Sequence, residues 1–298
     1  MTAAFRNFTS QPGFTEDFHR VREFLVGINA QNPIHYDFEW GRWEWGFSLP
    51  YLDTTNLSKI GVWEDNDKIV AVVTYEQGLG DAYFCLDPQY AFLKTDMLLH
   101  AKNTLCTIEG KIKVLINNAD REFQRIAGQR GFKPTQNSEA TAVMDIDPRH
   151  IAYTLPQGYS ITSMADSYDL IRFNRVLWRG FNHEGEPPTT EKQLEERRIS
   201  LSGPHLNHNL CIAVVAPNGE FASYCGMWYD PHTEYALVEP VATDPTYRKL
   251  GLGKAAVLEA VKRCGQLGAK QAYVGSSQQF YYQLGFHPLP GGTFWEIC

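Results

Sequence analysis

Residues 235–254 read YALVEPVATDPTYRKLGLGK, and the fold class follows from how this stretch changes character along its length. Its first nine residues are mainly apolar, the pattern of a buried strand. Asp244-Pro245 stops the strand, because Asp caps a helical turn and Pro suits its first position. Gly251 and Gly253 then lead into a helix predicted over residues 252–267, where Val257, Val261 and Cys264 fall at helical spacing and Gly268 is the stop.

The same order occurs once before. Residues 81–90 read DAYFCLDPQY, ending in Asp87-Pro88-Gln89-Tyr90, which matches Asp244-Pro245-Thr246-Tyr247 at an offset of 157 residues. Upstream of each strand lies a hairpin signal: IGVWEDNDKIVAVVTY (60–75) turns at Asp65-Asn66-Asp67, and CIAVVAPNGEFASY (211–224) turns at Asn218-Gly219. Downstream, a short apolar strand (112–116 and 271–274) precedes a short helix closing on Gly131-Phe132-Lys133-Pro134 or Gly285-Phe286-His287-Pro288, an offset of 154. Three landmarks in one order, at offsets of 152 (Asn66 and Asn218), 157 and 154, predict two copies of one fold. Each copy reads as a strand, one or two helices, a hairpin, a strand, a helix, a strand, a short helix and final strands. The fold class is therefore α/β (α+β): two tandem domains, each a central mixed sheet flanked by helices. The opening elements are expected at residues 5–9 and 15–29 in the first copy, and at 159–163, 165–181 and 190–201 in the second. The seam falls at residues 147–158, which hold Pro148, Pro156 and Gly158, so the expected division is 1–146, a linker over 147–158, and 159–298.

Composition narrows the function classes. The chain has 298 residues, 43% of them in the hydrophobic class and 20% charged, with no low-complexity tract, which excludes disordered and fibrous classes. Lys and Arg total 27 against 34 Asp and Glu, a net charge of −7, which leaves no general footprint for nucleic acid or an anionic membrane. No apolar run has the length of a membrane span, and Arg6, Glu16 and Asp17 stand where a signal peptide needs apolar residues, so a cytoplasmic address is expected. The six cysteines lack metal-ligand spacing, and His205 and His208 have no nearby Cys or carboxylate to complete a zinc site; no metal is expected.

Arg248-Lys249-Leu250-Gly251-Leu252-Gly253-Lys254 carries the chemistry. Glycines let main-chain N–H groups approach a ligand, and the helix N-terminus adds its dipole, so the turn suits a phosphate or pyrophosphate with Arg248 and Lys254 as countercharges. It is not a Walker loop, since Ala255 follows Lys254, and Ala256 stands where the dinucleotide fingerprint needs its third Gly.

Strand 238–247, the Arg248-x-x-Gly251-x-Gly253 turn, the following helix and FYYQLGFHP (280–288) together resemble the GCN5-related N-acetyltransferase (GNAT) family. The resemblance covers residues 159–298 by motif and residues 1–146 by element order, so the chain looks like a tandem GNAT protein with a degenerate N-terminal copy. It implies an acetyl-CoA-dependent N-acetyltransferase, with no metal, in which the pyrophosphate meets the main chain of Arg248, Lys249, Leu250, Gly251, Leu252, Gly253 and Lys254. The pantetheine arm would pair as a pseudo-strand with Val241, Ala242 and Thr243. The family's tyrosine acid falls on Tyr281, with Tyr282 as the adjacent alternative; a phenol, with an ordinary pKa of about 10, stays protonated and can donate to a leaving thiolate. Glu239, two residues before Val241, is the carboxylate placed either to take the amine's proton or to hold its positive charge. Acceptor recognition would fall on the loop RGFNHEGEPP (179–188) through Phe181, His183, Glu184 and Glu186.

The first copy is an internal control. Sliding by 157 replaces Arg248 with Ala91, Gly251 with Lys94, Gly253 with Asp96 and Glu239 with Ala82; sliding by 154 replaces Tyr281 with Ala127. That copy is expected to buttress the active one or shape its acceptor pocket, with part of the aromatic-rich run 35–47 serving there. With the resemblance, the leading expectation is a small-molecule primary amine attacking the thioester directly. A CoA-binding sensor without turnover, or transfer to a protein amine, shares the same cofactor residues. A covalent acetyl-cysteine route finds no cationic neighbour beside Cys225 or Cys264 to lower a thiol pKa.

Overall fold

The computed structural model describes residues 2–30 and 38–297. The chain forms two compact units, residues Met1–Thr141 with Pro288–Cys298, and residues Ala142–His287.

In the first unit the order is β1 (Ala4–Asn7), α1 (Glu16–Asn29), α2 (Trp40–Phe47), β2 (Gly61–Asp65), β3 (Lys68–Thr74), β4 (Asp81–Leu86), α3 (Lys94–Thr104), β5 (Lys113–Asn117), α4 (Arg121–Gln129) and β6 (Phe132–Asp145), whose last residues enter the second unit. The second unit continues with β7 (Ser160–Ser163), α5 (Leu170–Gly180), α6 (Glu191–Ile199), β8 (Ile212–Val215), β9 (Phe221–Tyr229), β10 (Tyr235–Thr243), α7 (Leu252–Leu267), β11 (Gln271–Val274) and α8 (Gln279–Tyr282). The last strand, β12 (His287–Ile297), lies almost wholly in the first unit.

The strands of the first unit run in the order β1-β2-β3-β4-β5-β12, and those of the second in the order β7-β8-β9-β10-β11-β6. Both are antiparallel except for one parallel pair, β4 with β5 and β10 with β11. The repeat predicted from the three offsets is thus the repeat observed. The boundaries differ from the expected 1–146, 147–158 and 159–298. Each sheet needs an antiparallel strand beyond its β5 or β11, and it comes from the other copy's sequence: Gly292 to Glu296 pair with β5, and Ala142 to Asp145 pair with β11. Residues 147–158 are part of the second unit, where Ile151, Tyr153 and Leu155 pack against its core.

Local chemistry accounts for the elements. Thr15, Asp120 and Asp169 cap α1, α4 and α5 through their side-chain oxygens. In the first hairpin Asn66 and Asp67 both take left-handed φ values, 49° and 61°, the conformation of a two-residue type I′ turn. The second hairpin is wider than its Asn218-Gly219 dipeptide suggests: Ala216 N–H donates to the Glu220 carbonyl, and only Gly219 (φ 87°) is left-handed. Helix α7 carries the buried stripe of the second core, including Val257, Leu258, Val261 and Cys264, each apolar side chain contributing roughly 1.5–3 kcal/mol. Gly268 (φ 118°) ends it, its N–H reaching the Cys264 and Gly265 carbonyls. Of the aromatic run 35–47, residues 35–37 lie outside the described residues; Trp40 and Trp43 are core residues of the first unit. Among the described residues no helix is long and apolar enough to cross a membrane.

Candidate active site

Strands β10 and β11 separate after a short parallel contact. They pair only over Tyr235 to Leu237 with Gln271 to Tyr273, so the β11-facing edge of β10 is left unpaired from Val238 to Thr243. Its other edge stays paired with β9, with a shift of register between Val238 and Val241. Glu239-Pro240, a cis peptide, sits in that shift, and the Glu239 carbonyl accepts the Trp228 indole N–H at 3.1 Å. The opening beside β10 belongs to a cavity of about 860 Å³.

Two glycines shape its phosphate end for different reasons. Gly251 has φ 79° with open space where a Cβ would point, so the turn needs its left-handed conformation. Gly253 is needed for close approach, since a Cβ there would stand 2.9 Å from Thr243 Oγ1. Among the described residues the main-chain N–H groups of residues 249–254 have no hydrogen-bond partner, and Gly251 caps α7 without a side chain. Successive free N–H groups at a helix N-terminus are an anion site. The side chains agree: Arg248, Lys249 and Lys254 line the cavity and, among the described residues, no carboxylate does, in a chain of net charge −7. None of the three cations forms an ion pair among the described residues. A pyrophosphate followed by an extended amide chain fits this arrangement.

The guanidinium of Arg248 also has a structural task beside its charge. It donates to the carbonyls of Thr243 (3.2 Å) and Gly180 (2.9 Å) and to Asn182 Oδ1 (2.8 Å), tying the end of α5 to the glycine turn. The end of α5 rests directly on β10, because a Cβ at Gly180 would meet Ala242 Cβ at 2.7 Å.

Tyr281, on α8, lines the same cavity and is 7% exposed, whereas Tyr282 packs against the core without lining it. Burial, with added repulsion from Cys225 and Glu239, pushes the Tyr281 phenol well above its ordinary pKa, so it holds its proton. Val241, Ala242, Thr243, Arg248, Lys249, Gly251, Leu252, Gly253 and Lys254 line the cavity together with Phe181; Leu250 lines a neighbouring one. Glu239 is not among the lining residues. Burial raises the Cys225 thiol far above its ordinary value and that of Cys211 to about 11, so neither offers a thiolate for a covalent route.

The acceptor loop departs from expectation. Phe181 is half exposed at the cavity, but the His183 ring lies against Trp178 (centroids 4.6 Å apart) and the Glu184 carbonyl accepts the Trp178 indole N–H at 3.2 Å. The Glu186 carboxylate lies 2.8 Å from Arg179 and 3.7 Å from Arg175, so it pairs with two arginines of α5. Sequence reasoning missed these arginines. Both also meet the fully buried Asp244, at 2.7 Å (Arg179) and 3.2 Å (Arg175). Burial opposes the Asp244 charge, but the Thr246 N–H and hydroxyl and Arg179 outweigh it and hold the carboxyl below its ordinary pKa. The signal was present as Arg175 and Arg179 one helical turn apart, on the face of α5 that reaches the Asp-Pro turn. Among the described residues no cluster of His, Cys, Asp or Glu could hold a metal ion.

Comparisons with known proteins bear on the fold. Residues 171–286 match the model of the acetyltransferase (GNAT) family. No curated protein matches the sequence. Among solved structures, a tandem GNAT protein from the clavulanic acid biosynthesis pathway is 13% identical, with a TM-score of 0.66 over 99% of this chain and 98% of that one. A GNAT-family acetyltransferase from Colwellia psychrerythraea is 13% identical, with a TM-score of 0.59 over 100% of both chains. A GCN5-related N-acetyltransferase from Sphaerobacter thermophilus is 14% identical, with a TM-score of 0.57 over 99% of this chain and 95% of that one. At these identities the likeness is one of fold, and it spans both units.

Proposed function

We propose, for a chain whose second unit is a GNAT-family domain and whose whole length has the fold of tandem GNAT proteins, that it transfers an acetyl group from acetyl-CoA to the primary amine of a small molecule. The observation that carries this reading is one cavity that joins an unpaired strand edge, a row of free N–H groups with unpaired cations, and a protonated tyrosine. The N–H groups of residues 249–254 hold the pyrophosphate, and the open edge of Val241 to Thr243 binds the pantetheine amides, which brings the thioester toward Tyr281.

The amine nitrogen, deprotonated, attacks the thioester carbonyl; the C–N bond forms and the C–S bond breaks. Tyr281 gives its proton to the departing thiolate sulfur, and the proton lost by the amine passes to Glu239 through water. Glu239 suits the second task because its charge acts on Tyr281 although its side chain does not line the cavity. With no carboxylate in the lining, the acceptor is held at its reacting end by apolar contacts, Phe181 among them. Acetyl-CoA is expected to raise the melting temperature, and a panel of small amines with acetyl-CoA to release free thiol. Absence of any shift at millimolar acetyl-CoA refutes the reading.

A further inference from the structure

The first unit keeps a cavity of about 360 Å³ where β4 and β5 part. Its walls are apolar: Phe84 and Leu86 from β4, Pro88 from the turn after it, Leu115 from β5 and Phe123 from α4. The Phe84 and Phe123 rings meet edge to face, with centroids 4.8 Å apart, so one side of the cavity is aromatic. The two strands pair only at Asp81 with Lys113 and Ala82 with Val114. Beyond that point the Asp87 N–H is spent on the Val70 carbonyl of β3, and the Asn118 N–H on the Gly291 carbonyl of β12. Main-chain groups alternate sides along an antiparallel pair, so the N–H of Phe84 and the carbonyl of Leu115 turn into the opening. Among the described residues no strand lies between β4 and β5 to pair with them.

Charge in this cavity is already spent. The Gln89 and Lys94 N–H groups of the turn donate to Asp87 and to the Ala91 carbonyl, which leaves no cradle for a phosphate. Lys94 Nζ lies between Asp120 and Glu122, 2.9 Å from each, so the one lysine in the wall is outnumbered by carboxylates. Those carboxylates are themselves engaged, Asp120 also as the cap of α4, and neither is left over for an ammonium ion. What remains is an apolar space with a donor on one edge and an acceptor on the facing edge.

We infer that this cavity of the first unit binds an uncharged, largely apolar molecule built around a secondary amide. The C=O and N–H of a trans amide point opposite ways, so a single amide accepts from the Phe84 N–H and donates to the Leu115 carbonyl. Its two substituents then lie against Phe84, Leu86 and Phe123. An apolar cavity above about 300 Å³ with a few placed polar groups has the make-up of a small-molecule site. No residue of the second unit takes part, so the site does not depend on the proposed function.

Titration calorimetry with three molecules of one skeleton tests the inference. N-benzyl-2-phenylacetamide carries the secondary amide, its N-methyl derivative lacks the N–H, and N-benzyl-2-phenylethylamine is a cation of the same length. The amide should bind the wild-type protein with a Kd of ~0.1 mM or below, and the other two about tenfold more weakly. Ala91→Trp, which places an indole in the cavity wall, should weaken the amide about tenfold, whereas millimolar acetyl-CoA should leave its affinity unchanged. Melting of the variant without ligand shows whether it folds; if it does not, Ala119→Trp in the same wall replaces it. No binding of the amide, equal binding of the amine or the N-methyl derivative, an affinity that the tryptophan leaves unchanged, or competition by acetyl-CoA overturns the inference. Failure of acetyl-CoA itself to bind overturns the proposed function instead and leaves this site standing.

Discussion

The turn after β10 and the turn after β4 hold the same position in two copies of one fold, and they are built in opposite ways. In both units the parallel pair separates early, after Leu237 in one and after Ala82 in the other, so the opening is a property of the fold. What fills it differs. After β10 the chain enters α7 through a left-handed glycine, leaving N–H groups without partners and cations without carboxylates among the described residues. After β4 a 3₁₀ turn, Pro88–Leu93, runs straight into α3; Asp87 caps it at the Gln89 N–H (2.9 Å), and the Lys94 N–H donates to the Ala91 carbonyl. Lys94 Nζ lies 2.9 Å from both Asp120 and Glu122, and the space shrinks to about 360 Å³ with Asp120 in its wall. An anion site therefore requires that the turn leave its donors unspent; a splayed sheet alone does not make one.

The largest expected effect comes from carrying the first copy's chemistry into the second. Gly251→Asp forces a side chain onto a φ of 79° and places a carboxylate at the cradle. Protection by acetyl-CoA against thermal unfolding should vanish, whereas Asp96→Gly in the first unit should leave it intact. If both variants keep the shift, the cradle is not where the phosphates bind.

Next comes the acid. Tyr281→Phe should reduce turnover about 10- to 100-fold with the affinity for acetyl-CoA nearly unchanged. Because burial raises the phenol's pKa, the acid form persists as pH rises, and the rate should show no loss through deprotonation of Tyr281 near pH ~10, where an ordinary tyrosine ionises. A rate in the Phe variant equal to wild type would remove Tyr281 from the mechanism.

Asp244→Asn tests the arginine cluster that supports the turn. Removing one partner from a buried ion pair costs about 3 kcal/mol, to be read as a fall in urea midpoint. The folded pKa of Asp244 is depressed, so its contribution is complete above the unfolded value of about 4 and is lost as pH falls through the lower folded value. The gap between wild type and variant should therefore close on acidification. A gap independent of pH would place the effect in packing rather than in charge.

How far the sequence carried these conclusions varied with the kind of signal. Helix α7 was legible to the residue, because Gly251, the Val257–Val261–Cys264 stripe and Gly268 are local signals. The repeat was legible from offsets. The closing strands were not: β12 and the end of β6 look like final strands of their own copies, and nothing local in Gly292 to Glu296 records that its partner is β5 of the other copy. In the site, the glycine turn and Tyr281 were legible as motifs. The partners of Arg248 and Glu186 were not, because they depend on how α5 meets β10, a contact made possible by one glycine at position 180.

The smallest effect expected belongs to the first copy. Lys94→Met removes the ammonium between Asp120 and Glu122 and leaves an apolar stem of similar length among Phe84, Leu115 and Phe123. Asp120 keeps its place as the cap of α4, accepting the Phe123 N–H at 2.9 Å, and Glu122 is half exposed, so neither carboxylate is stranded without water or donor. The cost should be about 1 kcal/mol, with acetyl-CoA protection unchanged. A loss of several kcal/mol would show that the ion cluster is the core of its unit. A change in acetyl-CoA affinity would show instead that the first copy's filled opening communicates with the second copy's open one.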